Sequence, residues 1–379
     1  MSIFNRAAPG VEWNDSASEA TVPMRPQEPS SPYPAACVAC GGELGIDGYC
    51  LQCGQKARSL REHYELTPVD WVAGICDIGL LHSRNEDALA VRAEGPRAVI
   101  VVCDGVTTSD DSDVASMAAA TTVCDLLWMN DPQGTGTPSS RNAAIQSLLT
   151  QAVTEANEAV IDSTDPASSN SAATTIAMAV VDGHSIYCAN LGDSRIYWLP
   201  DDADPCQLTR DHSLAQDGID SGTGRAEAES SIFAHTITKW LGRDAVDLDP
   251  YLSTTALDRP GWLIACSDGL WNYVSEATAV RDLVASFGED SSAVGLASHL
   301  VAWANQQGGH DNITVVCARL VPQDSPPSPE PIADSMPEPT SDSSPQPTAD
   351  STPEPTEPLS AEATRDGDEQ EPTESDKEV

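Results

Sequence analysis

The stretch Val101-Val102-Cys103-Asp104-Gly105 constrains this chain most. An apolar run from Ala98 to Val102 ends in a carboxylate, and the next residue has no side chain. That pattern reads as a buried strand delivering one Asp to its tip, with a backbone free to approach something closely. Leu263-Ile264-Ala265-Cys266-Ser267-Asp268-Gly269 repeats it, and Asp311-Asn312 stands just before a third apolar run, Ile313 to Cys317. With Glu86-Asp87 and Asp193 added, several carboxylates are expected to converge at strand ends. Carboxylates gathered so closely repel one another, so the cluster makes sense around hard divalent cations.

The 379 residues suffice for one large domain plus extras. The formal charge is −40, with only three lysines, Lys56, Lys239 and Lys377. So acidic a surface argues against nucleic acid or an anionic membrane as partner, because both are repelled. No apolar stretch approaches the roughly 20 residues of a membrane-spanning helix, and the segment from Met1 to Asn14 lacks the apolar core of a secretion signal. Of eleven cysteines, four form two C-x-x-C pairs and seven are scattered singly. This usage implies a reducing, cytoplasmic location.

Residues 1–36 are rich in Pro, Ser, Ala and Glu without periodicity, and are expected to be disordered. Cys37-Val38-Ala39-Cys40-Gly41 and Cys50-Leu51-Gln52-Cys53-Gly54 then form two knuckles, each turning two thiolates toward one tetrahedral ion. Zn²⁺ is the usual occupant. The alternative, a redox dithiol pair, lacks the surrounding βαβ pattern. Residues 37–54 therefore read as a zinc ribbon whose metal supplies most of its folding free energy. Residues 55–67 read as a linker, and the main domain is taken as 68–321. Within it the sequence predicts strands over 71–77 and 98–103, helices over 113–130 and 142–161, three strands over 172–181, 185–190 and 195–199, a Gly-rich mobile flap over 211–235, strands over 251–255 and 262–267, helices over 276–287 and 291–307, and a closing strand over 313–320. Many antiparallel strands with helices arriving in pairs imply a sheet-on-sheet core with helices outside, an α+β class. From Pro322 to Val379 the composition shifts to Pro, Ser, Thr and Glu, with sixteen acidic against two basic residues. That tail is expected to be disordered, acidic and solvated.

The ordered motifs Asn85-Glu86-Asp87-Ala88, Val102-Cys103-Asp104-Gly105, Leu191-Gly192-Asp193-Ser194-Arg195, Gln207-Leu208-Thr209-Arg210-Asp211-His212-Ser213, Ser267-Asp268-Gly269-Leu270 and Asp311-Asn312-Ile313-Thr314 resemble the metal-dependent bacterial protein phosphatases of type 2C, the PPM family. Asp-Gly alone is common; six motifs in order and spacing are specific. The resemblance covers roughly residues 68 to 321. It implies a four-layer α-β-β-α sandwich with two Mn²⁺ or Mg²⁺ ions at one end. Carried over by motif, Asp104 bridges both ions and Gly105 offers its carbonyl. Asp268 and Asp311 complete the first ion's protein ligands, and Glu86 and Asp87 hold waters on the second. Asp193 serves a third ion with Asp268. The implied activity is hydrolysis of phosphoserine and phosphothreonine on protein substrates by a metal-bridging hydroxide, opposing a bacterial Ser/Thr kinase.

Two departures from the family pattern matter. The family's phosphate-binding Arg lies five residues before the Asp of the Glu-Asp pair, and that place is His82 here. Arg84, three residues before, reaches from the same loop and offers the planar fork that His lacks. After Asp104-Gly105, Val106 to Asp113 replaces the family's small residues and reads as an acidic N-terminal helix cap. These departures keep an alternative open: a catalytically inactive phosphoprotein-binding or scaffold protein. Asp47 and Asp77 read as turn residues, Asp211-His212-Ser213 as the anchor of the flap, His310 as a loop-orienting residue, and the Trp residues 71, 128, 198, 240, 262, 271 and 303 as core.

Overall fold

The computed structural model describes residues 36–37, 40–288 and 292–323. The N-terminal segment expected to be disordered and the acidic tail lie almost wholly outside these. Two strands open the main domain, β1 (His63–Val69) and β2 (Val72–Asp77), followed by the hairpin β3 (Ala88–Glu94) and β4 (Arg97–Cys103). Two long helices come next, α1 (Ser112–Met129) and α2 (Pro138–Ser163). The chain then runs through β5 (Ala173–Thr174), β6 (Ile176–Val181), β7 (Ser185–Leu191), β8 (Arg195–Pro200) and β9 (Cys206–Gln207). The short helices α3 (Leu214–Asp220) and α4 (Arg225–Glu229) precede β10 (Leu241–Gly242), β11 (Tyr251–Ala256) and β12 (Gly261–Cys266). The last elements are α5 (Asp268–Trp271), α6 (Ala277–Ser286), α7 (Ala293–Gln307) and β13 (Ile313–Leu320).

The strands form two large sheets, in the orders β1-β2-β13-β12-β8-β9 and β11-β7-β6-β4-β3, with β10-β5 as a small third pair. Every pairing is antiparallel. The period-2 alternation of the strands builds the layers. Along β4, Val99, Val101 and Cys103 face α1 and α2, while Ala98, Ile100 and Val102 face the other sheet. Along β12, Leu263 and Ala265 fill the space between the sheets, and Ile264 and Cys266 pack under α5, α6 and α7. The three apolar clusters are thus the three spaces of an α-β-β-α sandwich, as expected. Strands buried on both faces explain why these segments read as continuous apolar runs rather than alternating ones.

Several elements differ from expectation. The stretch 55–67, read as a linker, holds β1 and pairs with β2 in the register His63↔Asp77 to Leu66↔Gly74. Its exposed, polar alternation marks an edge strand, which composition does not separate from a linker. Asp77 is not a turn residue but the last, buried residue of β2. The flap region contains α3 and α4. Asp111 flanks the start of α1 with φ 52° and makes no side-chain capping bond, although Asp113 supplies the expected acid in the first turn. Trp198 and Trp271 are fully buried, whereas Trp71, Trp128, Trp240, Trp262 and Trp303 are half-buried.

Candidate metal centre

Register alone brings the acidic residues together. Cys103 at the end of β4 lies opposite Ala88 at the start of β3. Val102 pairs with Ala177, and Ile176 with Leu191, which puts the end of β7 at the same edge. In the other sheet Cys266 pairs with Arg195 and with Val315, and Ile313 pairs with Asp77. The turns and strand ends at this one edge hold Glu86, Asp87, Asp104, Asp193, Asp268 and Asp311. All six carboxylates anticipated from sequence sit there.

Their electrostatics carry the mark of crowding. Burial raises the Asp104 carboxyl well above the usual range, and Asp87, Asp268, Asp311 and Asp193 raise it further. Burial and Asp311 push Asp268 up to about 7. Burial also raises Asp87 to about 7, against a hydrogen bond from Ser267. Asp193 is raised by burial and by Asp268 and Asp211. Four carboxylates held back from ionising by burial and by their acidic neighbours are a poor arrangement for a bare protein and a good one for hard divalent cations, which take oxygen ligands and keep several waters. The donor set therefore fits Mn²⁺ or Mg²⁺.

Neighbouring groups fix the carboxylates in place. Ser267 Oγ donates to Asp87 Oδ2 at 2.7 Å and accepts from the Thr314 amide at 3.0 Å. Asn312 Oδ1 accepts from the Glu86 amide at 2.7 Å, and its Nδ2 donates to the Ile78 carbonyl at 2.9 Å. Asp104 is held through its backbone: its amide donates to Thr175 Oγ1, and its carbonyl accepts from the Thr175 amide and Thr174 Oγ1. The bonds at the Gly105–Thr174 bridge run from Thr175 to Asp104 and from Val106 to Ala173, which leaves the Gly105 carbonyl out of the ladder. A Cβ on Gly105 would stand 2.6 Å from the Glu86 carbonyl oxygen, so this backbone approach requires glycine. Ser267, Thr174, Thr175 and the wider reach of Asn312 were not singled out from sequence. Their partners are distant in the chain, and no local pattern names them.

On the loop 78–87, Arg84 turns to acids. Its Nη2 lies 2.5 Å from Glu86 Oε1 and 3.1 Å from Ser112 Oγ, and its Nη1 lies 3.3 Å from Asp113 Oδ1. Burial pushes the Glu86 carboxyl up, but hydrogen bonds from Ser112, Arg84 and Thr107 outweigh it and hold Glu86 below its usual range. The Arg84 side chain remains 45% exposed, so it keeps access to solvent beside the cluster. His82 Nε2 lies 3.3 Å from Asp311 Oδ1. His310 donates its backbone amide to Tyr273 Oη.

Asp211 anchors the flap region, as expected. It makes a double contact with buried Arg195, from Nε at 3.0 Å and Nη2 at 2.7 Å to Oδ2. The guanidinium carbon of Arg195 lies 3.8 Å from the Trp271 ring centroid. His212 Nδ1 accepts from the Gly192 amide at 3.2 Å, next to Asp193. Ser213 caps α3 through the Gln216 amide.

Away from this edge, Cys37, Cys40, Cys50 and Cys53 place their sulfurs within 4.8 Å of one another, the spacing a single tetrahedral ion needs. Among the described residues no other group of three or more such side chains is so tightly gathered. The carboxylates are spread more widely, in keeping with larger and partly hydrated ions. Amides of Cys53 and Gln52 point at Cys50 Sγ and draw its thiol down to about 6, which favours a thiolate ligand.

Known proteins give the same picture. A relative from Streptococcus pneumoniae, protein phosphatase PhpP, is 29% identical over 256 residues, spanning 66% of this chain and 98% of that protein. The serine/threonine phosphatase stp of Listeria innocua is 29% identical over 244 residues, 63% of this chain and 92% of its own length. Among solved structures, the serine/threonine phosphatase of S. agalactiae matches the fold with a TM-score of 0.56 at 23% identity, over 68% of this chain and all of that one. The Mycobacterium tuberculosis serine/threonine phosphatase PstP/Ppp matches with a TM-score of 0.51 at 25% identity, over 66% of this chain and 98% of that one. A family model described as protein phosphatase 2C matches residues 82–305. With that match laid over the edge where the carboxylates meet, the chain belongs to the protein phosphatase 2C family.

Proposed function

We propose that this chain is a metal-dependent serine/threonine protein phosphatase whose chemistry takes place at the carboxylate edge of the sandwich. The single observation that carries the reading is the complete carboxylate set, Asp104, Asp268, Asp311, Asp193, Glu86 and Asp87, gathered from five separate strand ends. Asp104, Asp268 and Asp311 would hold one Mn²⁺ or Mg²⁺. Asp104 and the Gly105 carbonyl would hold a second, with Glu86 and Asp87 binding its waters, and Asp193 would serve a third. Ions bound there acidify a water and offset negative charge on phosphoryl oxygens. Arg84 would exchange its Asp113 contact for the phosphate, whose oxygens match a guanidinium fork. Ser267 and Asn312 keep Asp87 and the Glu86 backbone fixed while substrate comes and goes.

The relatives' names support phosphoserine and phosphothreonine on proteins as substrates, and a Ser/Thr kinase is needed to supply such groups. No cysteine serves as nucleophile in this reading, and all eleven are free thiols, which suits a cytoplasmic setting. No helix among the described residues is long and apolar enough to cross a membrane. The four cysteines would hold one Zn²⁺ and form a ribbon; elemental analysis should find one zinc per chain, lost in Cys50→Ser. The inactive alternative finds no support, since no carboxylate of the set is missing. Asp104→Ala tests the reading: Mn²⁺-dependent hydrolysis of a phosphothreonine peptide should disappear, and full retained turnover would overturn the assignment.

A further inference from the structure

The stretch between the four cysteines and β1 contains no free chain. The Ala57 amide donates to the Gly48 carbonyl within the cysteine module at 2.7 Å. The very next residue, Arg58, puts Nη1 on Asp77 Oδ2 in the catalytic domain. From there residues 58–63 lie along the loop 78–87 and grip both of its ends. At the first end, the Glu62 carbonyl accepts from the Ile78 amide at 2.8 Å, and His63 Nδ1 lies 2.7 Å from Asp77 Oδ2. Asp77 Oδ1 in turn accepts from the Gly79 amide at 2.9 Å. At the second end, the Arg61 carbonyl accepts from Asn85 Nδ2 at 3.0 Å.

The Arg61 guanidinium then reaches α1, with Nη2 3.4 Å from Ser116 Oγ and 3.3 Å from the Asp113 carbonyl. Ser116 Oγ donates to the Glu86 carbonyl at 2.5 Å, and Asp113 pairs with Arg84. Arg61 is therefore one residue removed from both Glu86, through Ser116, and Arg84, through Asp113. Stability does not explain it: Arg61 Nη1 is buried without a hydrogen-bond partner among the described residues, which is a cost. Arg58 is half exposed, and exposed ion pairs contribute little.

We propose that residues 58–63 are a strap that sets the geometry of the catalytic loop, with Arg61 as a positioning residue for the phosphatase reaction. This rests on the proposed function of that loop. The partners of ligand-bearing residues typically change metal affinity or activity by about 10- to 100-fold when removed. The full chain should be compared with Arg61→Ala, Arg61→Lys and Arg58→Ala. Three quantities are read: the Mn²⁺ concentration for half-maximal turnover of a phosphothreonine peptide, the separate kcat and KM, and amide exchange of peptides covering 78–87 in EDTA. Arg61→Ala should raise the Mn²⁺ requirement by about tenfold and speed exchange over 78–87, with Arg61→Lys restoring part of both. Arg58→Ala, at an exposed position, should speed exchange at 77–79 and guards against a folding failure of the Arg61 variants. An unchanged Mn²⁺ requirement together with unchanged exchange over 78–87 would overturn the strap. A wild-type chain with no metal-dependent turnover would instead sink the phosphatase reading, and the exchange comparison would still decide the strap.

Discussion

Asn312 and Glu86 are 226 residues apart, yet the Asn312 side chain accepts the Glu86 backbone amide at 2.7 Å. The same amide group of Asn312 donates to the carbonyls of Ile78 and Arg84. One buried side chain at the start of β13 thus ties down both ends of the loop that presents Arg84, Glu86 and Asp87. Asn312→Ala leaves a buried N–H and two carbonyls without partners. It should cost about 1–3 kcal/mol of stability in urea unfolding and weaken Mn²⁺ binding by roughly tenfold or more in a calorimetric titration.

Asp104 should be costly to the metal-free protein. Its half-buried carboxylate stands among four others that repel it. Asp104→Asn removes that charge at nearly constant volume. The expected outcome in EDTA is a stability gain of roughly 0.5–2 kcal/mol, the pattern of a functional site that trades stability for activity. Added Mn²⁺ should then stabilise the variant far less than the wild type. Thermal unfolding with and without the ion reads both effects.

The same crowding sets a pH dependence. Asp87 and Asp268 titrate near 7 when folded, against the ordinary carboxyl value of 3.8 when unfolded. Between those values the folded chain binds more protons than the unfolded one, so this contribution to stability falls as pH rises. It is fully present below about pH 4 and lost through about pH 7. In EDTA the carboxylate cluster should therefore favour folding more at pH 5 than at pH 8, and the gap should narrow in Asp268→Asn. Mn²⁺ competes with these protons, so its apparent affinity should rise with pH over the same window. A metal titration at pH 6, 7 and 8 checks the direction.

Arg195 is the expected weak point of the flap anchor. Removing it strands Asp211, buried beside Gln207, without its guanidinium. Breaking one partner out of such a buried pair costs about 3–5 kcal/mol. Arg195→Met should lower the unfolding midpoint and expose the 211–240 segment to limited proteolysis. An unaltered cleavage pattern would contradict the anchoring role.

Much of the carboxylate cluster was legible in the sequence because its acids stand at the ends of apolar runs. Asp104, Asp268 and Asp311 each adjoin a strand buried on both faces, and a carboxylate at such a place stands out. The layered fold followed from the same runs. What stayed hidden depends on partners far apart in sequence. Asp77 resembles a turn residue until Arg58, His63 and Asn305 are seen around it. The strand at 63–69 hid because an edge strand with exposed polar positions has no apolar signature. The missing cap at Asp111 has a related cause: its carboxylate accepts from the amide of Asp165, 54 residues away, instead of from its own helix.

The most direct measurement is hydrolysis of a phosphothreonine peptide by the full chain with Mn²⁺, with Mg²⁺ and with EDTA. Turnover that requires a divalent ion and vanishes in EDTA is the expected result. A folded protein that binds Mn²⁺ at this edge yet releases no phosphate would contradict the account.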